Sequence, residues 1–96
     1  MSSPAYVIGH VSVKDAQQWA EYRNGVPATL IEWGGEVLLR GQRRAVWDGT
    51  HQHTDTVVLR FASLDDATAW HESAAYQALI PLRQRAAEID LVVFEG

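Results

Sequence analysis

The sequence contains no cysteine, which removes a disulfide framework, a thiolate nucleophile and thiolate metal ligation from consideration. It also lacks any apolar run near the roughly 20 residues that a membrane-spanning helix requires. The first residues, Met-Ser-Ser-Pro, have neither the basic nor the apolar region of a signal peptide, so a soluble cytoplasmic chain without a membrane partner is expected. Positive charge is in the minority, with eight Lys and Arg against twelve Asp and Glu and a net charge of −4. A phosphate backbone needs a positive surface, so no nucleic-acid partner is expected. No segment is of low complexity, and no charge run is long enough to suggest a disordered tail. The 96 residues, 47% of them apolar, fit one domain spanning 1–96. A domain this short buries a modest fraction of its surface when alone, and help from a second chain is expected.

What is present is a set of apolar runs with a shared parity. Residues two apart on a strand share a face. In Ala5 to Val13 this puts Val7, Gly9, Val11 and Val13 on one side and Tyr6, Ile8, His10 and Ser12 on the other. Regular alternation through Glu36 to Arg40 and Thr56 to Phe61 adds Val37, Leu39, Val57, Leu59 and Phe61 to the first side. Leu38, Arg40, Val58 and Arg60 are then expected beside His10 on the second.

Between these runs the periodicity changes to that of helices. Asp15 is placed to cap a helix with Ala16, Trp19, Ala20 and the stem of Arg23 on one stripe, and Asn24-Gly25 is expected to end it. Pro27 suits the first turn of a second short helix carrying Leu30, Ile31 and Trp33, which Gly34-Gly35 stops. Strand two is expected to run through Gly41 toward Trp47, and the polar stretch 48–55 reads as the loop to strand three. Ser63-Leu-Asp-Asp66 resembles a capping box and opens a helix with Ala67, Trp70, His71 and Ala74 on one stripe. Ser73 is placed to cap a continuation from Ala74 to Ala87, bent at Pro81, and Ile89 to Glu95 forms a fourth strand.

Two strand-helix-strand units in succession are satisfied by an α+β, ferredoxin-like βαββαβ fold. This is a four-stranded antiparallel sheet with its helices on one face. The other face would leave Tyr6, Ile8, Leu38 and Val58 wet, so a homodimer is expected to cover it.

Several short pieces, in this order and spacing, carry a family likeness. They are Ala5-Tyr6, Tyr22-Arg23, Val26-Pro27, Gly34-Gly35, Arg40-Gly41, Asp48-Gly49, Ser73 with Tyr76-Gln77, and Arg83. From Ala5 to Gly96 the chain resembles the domain-of-unknown-function family 1330, of the dimeric α+β barrel superfamily. It departs from the pattern at Arg60-Phe61, where relatives often carry an acidic residue, and at Asp48-Gly49, where Glu-Gly is common. The resemblance implies the fold and the dimer. The wider superfamily includes cofactor-free monooxygenases acting on aromatic quinols, small-molecule isomerases, haem-binding enzymes and proteins without known chemistry, so the fold transfers no single function.

Candidate chemistry rests on few residues. His10, inside an apolar strand, could shuttle a proton or simply satisfy a hydrogen bond at a dimer interface. Arg40 and Arg60 could clamp a carboxylate or an enolate oxygen, or could pair with Glu36, Glu95 or an acid of a partner chain. Trp19, Tyr22, Trp33, Trp70, His71 and Tyr76 lie on helices, where they could line a pocket for a flat substrate or fill the core. The expected catalytic groups are His10 and His71, and the expected substrate-binding set is Tyr22, Arg40, Arg60, Trp70, Tyr76 and Arg83, the last from the family likeness. His51-Gln-His53, flanked by Asp48 and Asp55, has ligand-type side chains but no third ligand fixed by spacing, so it reads as a polar hairpin tip. Arg43 and Arg44 read as a solvated turn, Gly34-Gly35 as a turn and not a phosphate loop, and no nucleophile elbow occurs. Neither metal nor cofactor is expected.

Two functional readings follow. In one, a homodimer holds a small aromatic or carboxylate-bearing ligand, as a cofactor-independent monooxygenase or isomerase. His10 or His71 takes a proton, an arginine with Tyr22 holds the resulting anion, and that anion itself reduces dioxygen. In the other, the chain is a non-catalytic binding, structural or stress-related dimer module. The pocket is expected between the sheet and the aromatic-rich helices.

Overall fold

The computed structural model describes residues 3–96. Its strands are β1 (Ala5–Val13), β2 (Glu36–Gln42), β3 (Asp55–Phe61) and β4 (Ala87–Glu95). Its helices are α1 (Ala16–Leu30), α2 (Leu64–Glu72), α3 (Ala74–Gln77) and α4 (Ile80–Ala86), and a 3-10 turn covers Ile31–Trp33. The strands form one antiparallel sheet in the order β2-β3-β1-β4, the ferredoxin-like arrangement, with β2 and β4 at its edges. Among the described residues no helix is long and apolar enough to cross a membrane.

The helices start where their side chains can satisfy free backbone donors. The Asp15 carboxylate accepts from the amides of Gln17 and Gln18, and the Gln18 side-chain amide also donates to it at 2.9 Å. That bond, and the backbone bond from Gln18, hold the Asp15 carboxyl below the usual carboxylate range. Ser63 Oγ accepts from Asp66 N and Ser73 Oγ from Tyr76 N, as their positions before α2 and α3 predict.

Three elements differ from the sequence expectation. Asn24-Gly25 does not end the first helix, because α1 runs unbroken to Leu30 through both Gly25 and Pro27. Gly25 is there for close approach: a Cβ would stand 3.1 Å from Leu79 Cδ2, in the segment between α3 and α4. Pro27 lacks only the N–H that would bond the Arg23 carbonyl, and packing of Val26 and Leu30 into the core outweighs that loss. The stretch after Ser73 is not one bent helix but two short ones, with Pro81 in the first turn of α4, where a missing N–H costs nothing. Strand two stops at Gln42, and Trp47 lies in the following loop at 93% exposure.

Alternation along β1 is clean, with Ala5, Val7, Gly9 and Val11 buried on the helix side and the intervening residues half-buried on the other. The core between the sheet and helices is built on Trp70, Tyr76, Phe61 and Val11, all under 2% exposed. Phe61, Trp70 and Tyr76 stack in sequence, with ring centroids 5.4 and 4.2 Å apart. Trp70 Nε1 donates to Thr29 Oγ1 at 3.0 Å, so the buried indole costs no unmade bond. The opposite sheet face carries no helix.

Candidate functional site

The site begins with a register shift. Val37 pairs with Leu59, but Leu39 pairs with Val58 and Arg40 with Val57, so Leu38 is the extra residue of a β-bulge. One inserted residue reverses the parity of everything after it. Arg40 is therefore not beside His10 and Arg60, as regular alternation predicts. It lies on the helix side with Val57, while Leu39 moves to the open face at 54% exposure.

On the helix side, Arg40 enters a recess of about 370 Å3 lined in part by Trp19, Arg23, Gln42, Arg44, Asp55 and Val57. Arg44, exposed in the loop after β2, also borders this recess. Partial desolvation, and next the neighbouring Arg23 charge, pull the Arg40 guanidinium below its ordinary value. Tyr22 opposes that shift, and the arginine stays charged throughout the biological pH range. Among the described residues, none of Arg23, Arg40 and Arg44 forms an ion pair. Three cations facing one open volume with a single carboxylate in its lining make an anion the complementary occupant.

Behind Arg40 lies a small cavity of about 20 Å3, walled by Trp19, Tyr22, Leu59, Trp70 and Leu91. Trp19 stacks on Tyr22 with centroids 5.1 Å apart. The Tyr22 hydroxyl does not point to an empty volume. It shares a hydrogen bond of 2.9 Å with the Tyr76 hydroxyl, which also accepts from Arg83 Nη1 at 2.8 Å. Burial, more than the neighbouring Tyr76, pushes the Tyr22 phenol well above its ordinary value, so it stays neutral. Arg83 Nε is buried and has no partner. These three polar groups hold one another.

The histidines stand apart from this recess. His10 is on the open face, where its Nδ1 shares a 3.1 Å hydrogen bond with Thr56 Oγ1. Arg60 is on the same face and pairs with Glu36 at 3.5 Å, directly across from it on β2. His71, on α2, lines a separate cleft of about 220 Å3 with Val7, Ala67, Trp70, Leu91 and Val93. The structure thus brings Tyr22, Arg40 and Trp70 together, links Tyr76 and Arg83 to Tyr22, packs the His71 ring on Trp70 and Tyr76 but outside the Arg40 recess, and leaves His10 and Arg60 on the open face.

The 51–53 stretch is only partly the polar tip that its composition suggests. His53 is 6% exposed. It shares bonds with Ser12 Oγ at 2.9 Å through Nδ1 and with Asp90 Oδ2 at 2.7 Å through Nε2, tying the β2–β3 loop to β1 and β4. Arg43 completes the clasp by donating to the His51 and His53 carbonyls. Among the described residues no cluster of three or more His, Asp or Glu is arranged to hold a metal ion. Arg23 and Arg44 are the recess residues that sequence reasoning passed over. The Tyr22-Arg23 and Arg43-Arg44 pairs were their only signal.

None of the curated proteins matches the chain in sequence. Among solved structures, a protein of unknown function from Rhodopseudomonas palustris superposes with a TM-score of 0.83 at 16% identity, over 100% of this chain and 84% of that one. A dimeric ferredoxin-like protein of unknown function from a Jannaschia species gives 0.78 at 13% identity, covering 97% of this chain and 99% of that one. SnoaB, a cofactor-independent oxygenase from Streptomyces nogalater, gives 0.72 at 7% identity, over 99% and 94%. At such identities these likenesses establish the fold. The family described as Domain of unknown function (DUF1330) matches residues 4–96, and the chain belongs to that family.

Proposed function

We propose that this chain is a homodimeric protein that binds a small carboxylate-bearing aromatic ligand in the Arg40 recess. The observation that carries the reading is the bulge at Leu38, which turns Arg40 onto the helix side beside Arg23 and Trp19. There a guanidinium offers paired donors to a carboxylate, and the indole offers a flat apolar surface. The dimer is supported by the uncovered sheet face and by the dimeric state of the Jannaschia protein.

Turnover is a further step. SnoaB supports a cofactor-independent oxygenase reading by its fold, but a proton acceptor would have to share the ligand's recess. His10 lies across the sheet and His71 in the neighbouring cleft, which leaves Asp55 as the one carboxylate in the recess, beside three arginines that compete for it. Ligand binding is therefore the function that the geometry supports best.

The test is calorimetric titration of the wild type and Arg40→Gln with benzoate, phenylacetate and their neutral amides. Acids should bind and amides should not. Charge-assisted hydrogen bonds contribute about 1.5–3 kcal/mol, so Arg40→Gln should weaken the acids at least about tenfold. Equal affinity in both proteins, or none in either, would sink the anion site. Incubation of the same proteins with reduced quinols under air then asks whether oxygen is consumed.

A further inference from the structure

We infer that the Arg40 recess and the His71 cleft are the two ends of one slot, and that its occupant is an elongated amphipathic carboxylic acid. The carboxylate would sit at Arg40 and Arg23, and the apolar body would pass under Trp70 to the His71 end. The inference rests on the reading of the Arg40 recess as an anion site and extends it to the class of molecule held there.

Three hollows lie in a row between sheet and helices. The small central cavity shares Trp19, Arg40 and Val57 with the cationic recess on one side. With the cleft on the other side it shares Trp70 and Leu91. Polarity changes along that row. One end carries Arg23, Arg40 and Arg44, while the far end is lined mainly by Val7, Ala67, Trp70, Leu91 and Val93, with Thr68 and His71 at its helix edge. A charged head with an apolar body matches this gradient. A single aromatic ring at Trp19 would leave the far cleft without an occupant.

The waist has an identifiable floor. Gly9 sits at the centre of β1 on the helix side, and a Cβ there would stand 3.0 Å from Val57 Cγ1, 3.1 Å from Ile89 Cδ1 and 3.4 Å from Leu91 Cδ1. Those three side chains also wall the central cavity. They lean over the glycine and leave about 20 Å3, the room of one water molecule. Leu91 is only partly buried, and rotation between its staggered side-chain wells is the movement that widens the passage. Gly9 thus leaves at the waist the space that a Cβ would crowd, and the Leu91 movement would have to open it further for a chain to pass.

The experiment measures affinity for straight-chain monocarboxylates from butanoate to dodecanoate, below their micelle concentrations, by calorimetry on the full chain. Burial of a methylene is worth roughly fourfold in affinity, so binding should steepen once the chain is long enough to pass the waist. Thr68→Phe, at an exposed position on the rim of the far cleft, should bring the long acids down to the affinity of butanoate and leave butanoate unchanged. Gly9→Ala should do the same. Because that variant also strains the sheet, Thr68→Phe is the deciding one. Arg40→Gln should weaken every member of the series by the same factor.

Butanoate and dodecanoate binding alike would overturn the slot while leaving the anion site standing. A length dependence undiminished by Thr68→Phe, or long acids indifferent to Arg40→Gln, would also overturn it, since the chain would then lie elsewhere. Failure of every acid to bind would remove the anion site itself.

Discussion

At the scale of single residues, the polar groups that matter for stability are those that cannot reach water. Tyr76 is fully buried and its hydroxyl bridges Tyr22 and Arg83. Tyr76→Phe strands two partners and Tyr22→Phe only one. An unmade buried hydrogen bond costs about 1–3 kcal/mol, so Tyr76→Phe should be the more destabilising by at least about 1 kcal/mol in urea unfolding. Equal losses would mean that Arg83 finds another acceptor. Tyr22 also sets a pH dependence. Its phenol is raised in the folded state, so the unfolded chain releases the proton first, from about pH 10 upward. The stability contributed by its neutral form is complete below that pH and declines as pH rises further. The slope of unfolding free energy above pH 10 should be shallower in Tyr22→Phe, and an unchanged slope would assign the alkaline loss to other groups. On the other face, His53→Ala should release the β2–β3 loop from Ser12 and Asp90. Limited proteolysis should then cut between Arg43 and Thr54 at protease levels that leave the wild type intact.

At the scale of elements, strand alternation, helix caps and Gly/Pro punctuation carry most of the fold. Strand β1, its pairing partners and the caps at Asp15, Ser63 and Ser73 stand where local chemistry puts them. The candidate site was less legible, because its central residue depends on a feature that alternation cannot encode. The run Val37-Leu-Leu-Arg40 reads equally well with and without an extra residue, since both leucines are apolar, and only pairing with β3 decides which one is inserted. His53 was obscured for a similar reason: its burial comes from partners 41 and 37 residues away in sequence. Gly25 misled because a glycine inside a helix, packed closely on Leu79, looks the same in sequence as one that ends a helix. The bulge makes a discriminating prediction. Deleting Leu38 removes the extra residue but keeps Val37 opposite Leu59 and Arg40 opposite Val57. The deletion variant should therefore fold, with benzoate affinity within about threefold of wild type, less than the tenfold that corresponds to 1.4 kcal/mol. A folded deletion variant that no longer binds acids would show that the bulge shapes the recess directly, beyond setting the face on which Arg40 lies.

At the scale of the whole molecule, one face of the sheet stands without a covering layer. The Cα trace measures 36 × 31 × 16 Å, a slab of one sheet and one helix layer. It exposes 6097 Å2, against about 5500 Å2 for a typical folded monomer of this mass. The open face accounts for the character of that excess: Leu39, Val92 and Phe94 are each 43–54% exposed there, around the half-buried Ile8 and Val58. Standard interfaces bury roughly 800 Å2 on each partner, which one sheet face of this size can supply. A second copy meeting it face to face also places the Arg60–Glu36 pair of each chain within the contact, where opposite charges fix register more than they add affinity. Sedimentation equilibrium should therefore give twice the chain mass of 10.7 kDa for the wild type. Phe94→Asp puts a carboxylate on the open apolar face, on edge strand β4, but leaves the monomer's own core untouched, because the Phe94 ring points away from it. That variant should sediment as a monomer with an unchanged far-UV spectrum and unchanged benzoate affinity, since the Arg40 recess lies on the opposite side of the sheet. Loss of binding together with the dimer would instead mean that the recess is completed across the subunit boundary, and a wild type that sediments at 10.7 kDa would sink the homodimer.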